Sequence, residues 1–163
     1  MSIPAIDRAG NASALTKIAI AVQSPKLTLL VQQLATFPPR QAWFVGARVV
    51  YRLTLAAAID STCATNISLT YVLPAQLHLV PASAPSLVIS DVALKVTLDP
   101  SWTGEPSASR LLNAGGKLCA GQSLTIDIPL VLGVNKMGQT AVSLFEATAD
   151  GLSVVLKEKI PSP

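Results

Sequence analysis

The sequence predicts an all-β protein, an antiparallel two-sheet sandwich with an extended N-terminal arm. Apolar and polar residues alternate in several short segments, which is the period of a strand with one buried face. Clusters of Gly, Pro, Asn and Asp separate these segments roughly every 8–12 residues. No segment combines a helical apolar period with capping residues. Because each strand buries only one face, two sheets are expected to stack.

The arm is predicted to cover residues 1–40, and the sandwich domain residues 41–163. Within the arm, residues 16–22 alternate as a strand does, with Ile18 and Ile20 on one face.

A second segment of the arm fits either a strand or a helix. Leu27, Leu29 and Val31 share a strand face, while a helical period runs through the same segment. Thr28 and Val31 favour a strand because they are β-branched. The prolines that follow Phe37 forbid regular structure and mark the boundary between arm and body.

The first strands of the body are the most regular part of its first half. The strand that begins after Gly46 points four apolar residues inward: Val49, Tyr51, Leu53 and Leu55. The next strand has the same pattern at Ile67, Leu69, Tyr71 and Leu73. Pro74 ends this strand, because proline has no N–H for the ladder. Residues 77–79 are predicted to form a short edge segment.

The second half of the chain continues the pattern. Residues 87–98 predict one or two strands, and a short strand is expected after Gly116. The clearest strand follows Gly121 and points five residues inward: Leu124, Ile126, Ile128, Leu130 and Leu132. Pro129 predicts that this strand lies at an edge or contains a bulge. Asp150 and Gly151 predict a tight hairpin before the last strand.

Three segments together carry a family resemblance. They are Gly46-x-x-Val49-x-Tyr51-x-Leu53, Ala64-Thr65-Asn66-Ile67 and Leu73-Pro74-x-x-Leu77. They resemble the conserved-repeat Ig-like domain of bacterial surface proteins, family eleven of the domains of unknown function. The resemblance implies an Ig-like Greek-key sandwich with a non-enzymatic, structural or adhesive role. Ala56-Ala57-Ala58 and Tyr71 depart from the family pattern, and the latter replaces an acidic residue, so no calcium role is expected.

The composition indicates a surface that is partly covered by partners. Half of the residues are hydrophobic and only 13% are charged, against about 25% in an average domain. Mean hydropathy is +0.51. The alternative explanation is a core rich in Val, Leu and Ala. The net charge of +3 comes from scattered residues, without a basic run interleaved with aromatics, so no nucleic-acid partner is expected.

The start of the chain lacks the features of a secretory signal, which predicts synthesis in the cytoplasm. No window of about 18 uninterrupted apolar residues predicts a membrane span, so no membrane partner is expected. Cys63 and Cys119 have no metal-ligand spacing. We expect both to be reduced and structural. A disulfide between two loops is the alternative, and it would indicate an oxidising compartment.

The sequence predicts no catalytic, cofactor or metal site and therefore no enzyme. His78 is the only histidine and is expected at a surface or an interface, because no nucleophile motif accompanies it. The acidic residues are spread singly, without a calcium-loop pattern. The Gly115-Gly116 pair is typical of a turn, since no helix follows it as in a phosphate-binding loop.

Two functions from different classes remain. The first is a virion (phage capsid) decoration or cement protein, made in the host cytoplasm. It would form a homo-oligomer, such as a trimer, and bind a larger capsid lattice. Its arm would add strands to a neighbour's sheet edge. The partner-binding residues expected in the arm are Ile18, Ile20, Leu27, Leu29, Val31 and Phe37. The alternative is an adhesion module on the bacterial cell surface, which a disulfide would favour.

Overall fold

A computed structural model describes residues 25–37, 45–91, 94–113, 115–133, 141–150 and 152–160. The predicted strand 16–22, with Ile18 and Ile20, lies outside these residues. The described residues contain nine strands: β1 (Leu27–Phe37), β2 (Arg48–Ala57), β3 (Ala64–Val72), β4 (Leu77–Leu79), β5 (Ser86–Ile89), β6 (Gly116–Leu118), β7 (Ser123–Leu132), β8 (Ala141–Ala149) and β9 (Leu152–Ile160). A short 3-10 helix spans Pro106–Ala108.

The strands form two antiparallel sheets, which confirms the predicted sandwich. One sheet has the order β1-β2-β7, and β4 and β5 both pair with the far side of β7. The other has the order β6-β3-β8-β9. β1 and β9, one edge of each sheet, lie close to each other without pairing. β4 and β5 form the edge of the first sheet opposite to β1, and β6 forms the edge of the second sheet opposite to β9.

The segment that fitted both a strand and a helix is the strand β1. It pairs with β2 from Leu27 opposite Ala57 to Phe37 opposite Arg48, with an irregularity between Gln33 and Ala35. This register points the alternate apolar residues of β1 toward the core, on the same side as the buried residues of β2. Burial of these residues favours the strand over a helix. Among the residues that the structure describes, β1 is thus an edge strand.

The core lies between the sheets. It contains the inward residues that the alternation predicts in β2, β3 and β7, together with residues that were not predicted, among them Phe145, Trp102 and Leu111. Tyr51, Tyr71 and Phe145 are its largest fully buried side chains. Burying a side chain of this size is worth about 1.5–3 kcal/mol. Phe145 stacks on Tyr71, with 4.0 Å between ring centroids and an interplanar angle of 21°, and it meets Tyr51 edge-on. These aromatic residues fix the two sheets face to face.

Pro129 does not lie on an edge strand. β7 is central and pairs with β2 along nearly all of its length. Its other side is filled by two short strands, β5 opposite residues 124–127 and β4 opposite residues 130–132. Pro129 lies in the gap between them, where its carbonyl accepts a hydrogen bond from Val80 N. A proline is tolerated there because its missing N–H faces no strand.

The two cysteines form a disulfide, so the expectation of reduced cysteines is wrong and the alternative is correct. Cys63 precedes β3, and Cys119 follows β6. Backbone hydrogen bonds between Ala57 and both Gly121 and Gln122 bring these loops together. β3 and β6 are antiparallel partners with Ala64 opposite Leu118, so the two cysteines face each other one residue beyond this pair. The proximity depends on the pairing of two strands that are distant in the sequence, so no local pattern predicts it.

The described residues include no helix long and apolar enough to cross a membrane.

Candidate functional site

The outer edge of β1 offers backbone groups for strand addition. Ala58 N donates to Lys26 O, and hydrogen-bonded and non-hydrogen-bonded pairs alternate along an antiparallel ladder. Thr28 and Leu30 therefore bond to β2, whereas Leu29 and Val31 point their N–H and C=O away from it. Among the described residues no strand pairs with these groups.

The residues predicted to bind a partner are placed differently by the structure. The side chains of Leu27, Leu29 and Val31 are half-buried and pack against the core of their own chain. Phe37 pairs with β2 through its backbone. The exposed apolar side chains of β1 are Leu30 and Leu34. Sequence reasoning named the inward set, because alternation alone does not say which face of a strand is covered.

The other three sheet edges carry features that hinder strand addition. β4 and β5 have three and four residues, and prolines precede or follow them at positions 81 and 85. β6 has three residues, one of them Lys117. β9 contains Lys157, Glu158 and Lys159. Short length, proline and charge are the usual protection of an edge. β1, in contrast, has 11 residues without a charge, a proline or a glycine.

An ion pair crosses the exposed face of the five-stranded sheet beside this edge. Arg52 of β2 donates to both carboxylate oxygens of Asp127 on β7, at 2.8 Å from Nε and 2.7 Å from the terminal nitrogen. The two residues are cross-strand partners on the outward face. The guanidinium lowers the pKa of Asp127, chiefly through its hydrogen bonds and also through its charge, against the opposing effect of partial burial.

A second candidate lies at the other side of the sandwich and is called here the side cleft. Residues 98–112 fold back along β3, where Tyr71 N donates to Ser109 O and Leu111 N donates to Leu69 O, each at 2.8 Å. This segment and the connection between β4 and β5 enclose a mainly apolar cavity of about 240 Å³. It is lined by Leu79, Ser83, Ala84, Pro85, Leu98, Asp99, Pro100, Trp102 and Leu111.

The polar half of the side cleft adjoins this cavity at Asp99. It has a volume of about 420 Å³ and is lined by Ser68, Thr70, Asp99, Ser101, Ser107, Ala108, Ser109 and Arg110. Asp99 Oδ1 accepts hydrogen bonds from the backbone N and the hydroxyl of Ser101, at 2.9 and 2.6 Å. These bonds, more than the nearby Arg110 charge, lower the pKa of Asp99. The carboxylate is therefore ionised at neutral pH.

Trp102 borders the apolar cavity but belongs to the core, with only 7% of its surface exposed. Its indole Nε1 donates to Tyr71 O at 3.0 Å, which fixes the ring. One indole face stacks on Tyr71, with 6.1 Å between centroids and an interplanar angle of 22°. Burial raises the pKa of the Tyr71 hydroxyl, which shares a hydrogen bond with Ser143 and stays neutral. Sequence reasoning missed this cleft, because its polar lining comes mostly from a turn-rich segment.

In the described part of the chain, no three His, Cys, Asp or Glu side chains are close enough to share a metal ion. His78 is exposed on β4, and its side chain lies beside Gly133.

Comparison with known proteins identifies no family. No protein-family model and no curated protein matches the chain. Among solved structures, a family 123 glycoside hydrolase from Clostridium perfringens is similar at 16% identity and a TM-score of 0.39. The match covers 72% of this chain and only 21% of that enzyme. A likeness this weak establishes neither a shared fold nor a shared activity. The resemblance to the bacterial Ig-like repeat stays a prediction.

Proposed function

We propose that the protein is a non-enzymatic structural module that assembles with copies of itself by strand addition at β1. The unprotected edge of β1 is the observation that carries this proposal. A long edge strand without charged residues can pair with a strand of another chain. Natural domains usually block such edges unless they use them for assembly. The low charge of the chain supports the same function.

A second copy of β1 fits this edge about a two-fold axis. Antiparallel pairing of two identical strands is self-complementary, so one patch on each copy is sufficient and the assembly closes as a dimer. The outward N–H and C=O groups of Leu29 and Val31 would form the ladder. The exposed side chain of Leu30 would then meet its counterpart at the two-fold axis on the outer face.

The disulfide supports a location outside the cytoplasm. Cys63 and Cys119 are bonded to each other, and such bonds persist in oxidising compartments. This favours the bacterial surface or adhesion module over the virion decoration protein, which is made in a reducing cytoplasm. The Ig-like resemblance of residues 46–80 points to the same location.

A virion decoration protein is the second candidate, and the connection between β1 and β2 favours it. Ten residues join these paired strands, whereas hairpin loops usually have about 2–5. A connection of ten residues spans up to about 33–36 Å, so β1 could pair with β2 of a neighbouring copy instead. This exchange would join subunits through the arm, as a cement protein requires.

Matched charge substitutions test the assembly at β1. Leu30 and Val88 lie on one cross-strand row of the same outward face, at opposite edges of the sheet. Their exposed fractions are 52% and 66%. Sedimentation velocity of the full chain should show a dimer, and Leu30→Lys should dissociate it. The two new lysines, one from each copy, would lie close to each other at the two-fold axis and repel. Val88→Lys should leave the dimer unchanged.

A proline substitution separates edge pairing from arm exchange. Val31→Pro removes an outward N–H without touching the bonds to β2, so it should block edge pairing. Deletion of residues 1–24 keeps β1 and its connection to β2, so it should leave both kinds of assembly intact. Val31→Pro should spare arm exchange, because β1 still bonds to a β2 there. A wild-type chain that is monomeric at all concentrations, or a Leu30→Lys dimer as stable as that of Val88→Lys, would contradict edge pairing.

A further inference from the structure

We propose that Asn66 is a site of N-linked glycosylation, and that the donor is an oligosaccharide carried on a polyprenyl pyrophosphate. Asn66-Ile67-Ser68 has the acceptor pattern Asn-x-Ser, in which the middle residue is not proline. The inference rests on the proposed location outside the cytoplasm, where the disulfide persists, and it does not depend on assembly at β1. A pattern this short needs structural support, which the surroundings of Asn66 provide.

Asn66 is the extra residue of a β-bulge. β3 pairs with β6 through Thr65 opposite Lys117 and Ile67 opposite Gly116, and the register shifts between these two pairs. The φ of Asn66 is 54°, in the left-handed region. Two exposed residues therefore follow each other at the start of a strand that otherwise alternates. The bulge leaves Asn66 exposed, on a strand whose buried residues face the core.

Both polar groups of the acceptor pattern are free of hydrogen bonds to the residues that the structure describes: the Asn66 amide and the Ser68 hydroxyl. Asn113 differs, because its amide donates to Thr97 Oγ1 at 2.9 Å and to Leu98 O at 3.2 Å. Asn113 also lacks a serine or threonine two residues later. The left-handed backbone explains why an asparagine is accommodated at position 66, but it does not account for the serine at position 68.

The transfer exchanges one bond for another. The side-chain nitrogen of Asn66 bonds to the anomeric carbon of the first sugar, the bond from that carbon to the pyrophosphate oxygen breaks, and polyprenyl pyrophosphate leaves. The amide nitrogen gives one proton to a base of the transferase. In the folded chain Ile67 is fully buried and Ser68 pairs with Thr148 of β8, so the pattern cannot enter an enzyme's groove. Transfer therefore precedes the folding of β3 into its sheet.

The folded protein can carry the glycan without covering the edge of β1. In the second sheet β8 and β9 follow β3 in that order, and β9 is the strand that lies close to β1. The glycan thus starts two strands away from the neighbour of β1. Only 13% of the residues are charged, and a bulky polar glycan would add the hydration that charged side chains usually provide.

Mass spectrometry of the intact, secreted full chain tests the proposal. The chain is made with a cleavable signal peptide in a eukaryotic host that glycosylates secreted proteins. Ser13→Ala removes a second acceptor pattern, Asn11-Ala12-Ser13, so that Asn66 is the single acceptor. This protein should be heavier than its sequence by the mass of one glycan. Peptide mapping should place the glycan on Asn66, and an amidase that releases N-linked glycans should remove the added mass.

Matched hydroxyl variants connect the glycan to the acceptor pattern. In the Ser13→Ala background, Ser68→Ala should abolish the added mass and Ser68→Thr should keep it. Thr70→Ala removes the next hydroxyl on the same side of β3 and should also keep it. The site is overturned if Asn66 carries no glycan, if Ser68→Ala keeps the glycan, or if the glycosylated chain loses the far-UV circular dichroism of the unmodified protein.

Sedimentation velocity of the glycosylated protein tests assembly at β1 separately. A glycosylated dimer agrees with both proposals. A glycosylated monomer would contradict edge pairing and leave the glycan site in place, whereas a dimer without a glycan on Asn66 would overturn the site and leave edge pairing in place.

Discussion

Removing the disulfide should lower the free energy of unfolding without changing the fold. In the variant Cys63→Ala/Cys119→Ala, the native loops stay together because Ala57 N donates to Gln122 O at 3.0 Å and Gly121 N donates to Ala57 O at 3.2 Å. The substitution therefore acts mainly on the unfolded chain, which gains conformational freedom when the cross-link is lost.

The size of this effect follows from the length of the closed loop. The cysteines are 56 residues apart, and the chain-entropy relation converts this separation into about 4 kcal/mol at 25 °C. A domain of this size has a total stability of about 5–15 kcal/mol. The variant should thus stay folded at room temperature but unfold at a much lower urea concentration.

Urea unfolding at neutral pH, followed by far-UV circular dichroism, measures the difference. The oxidised protein should have the higher midpoint, and the wild type in excess reductant should match the double variant. The variant should also have the larger dependence of free energy on urea, because an open chain exposes more surface. Coincident midpoints of oxidised protein and variant, or free thiols in unreduced denatured protein, would refute the reasoning.

Three smaller predictions concern single interactions. Asp127→Asn should make the melting temperature depend less on pH in the acid range. The pKa of Asp127 is lowered in the folded protein, so its ion pair stabilises the fold at pH values above the unfolded pKa of about 3.9. This stabilisation is lost as the pH falls through the folded pKa. A profile identical to wild type would contradict this. Gly104→Ala should cost about 1–3 kcal/mol more than Gly115→Ala in urea unfolding, because both have positive φ but only the former would overlap a leucine side chain. Equal losses of stability would show that the Leu73 side chain can move away from the new methyl group at little cost. Tyr71→Phe should cost about 1–3 kcal/mol by leaving the buried Ser143 hydroxyl without its bond. Adding Ser143→Ala should restore part of the loss, and a further loss would argue against that pairing.

The strands could be predicted from the sequence wherever a buried face imposes alternation. Leu124 to Leu132 is the clearest case, and every inward residue predicted there is buried. β1 was ambiguous because Leu27 and Val31 satisfy a helical period and a strand period alike. Pairing with β2 resolves this, and pairing is a property of two segments. Pro129 was misplaced for the same reason, since the gap between β4 and β5 exists only in the assembled sheet.

The side cleft and the disulfide could not be predicted, because both depend on contacts between distant segments. Asp99, Trp102 and Arg110 lie within a turn-rich stretch whose sequence shows no period. Its backbone bonds to β3 place this stretch along the strand, where Asp99 borders both cavities. Cys63 and Cys119 likewise have no local signal, and their proximity follows from the pairing of β3 with β6.

The position of β1 changes how the arm must be understood. Its inward side chains complete the core of its own chain, so deletion of residues 1–40 would uncover β2 and damage the body. A loss of assembly after that deletion would therefore not distinguish binding from misfolding. The strand contributes its two sides differently: its side chains stabilise the sandwich, and its outer backbone edge is the part left for a partner. Leu30→Lys changes a side chain on the exposed face and leaves the core contacts in place. Val31→Pro removes an outward N–H but also alters a side chain that packs on the core, so Leu30→Lys is the cleaner test of assembly.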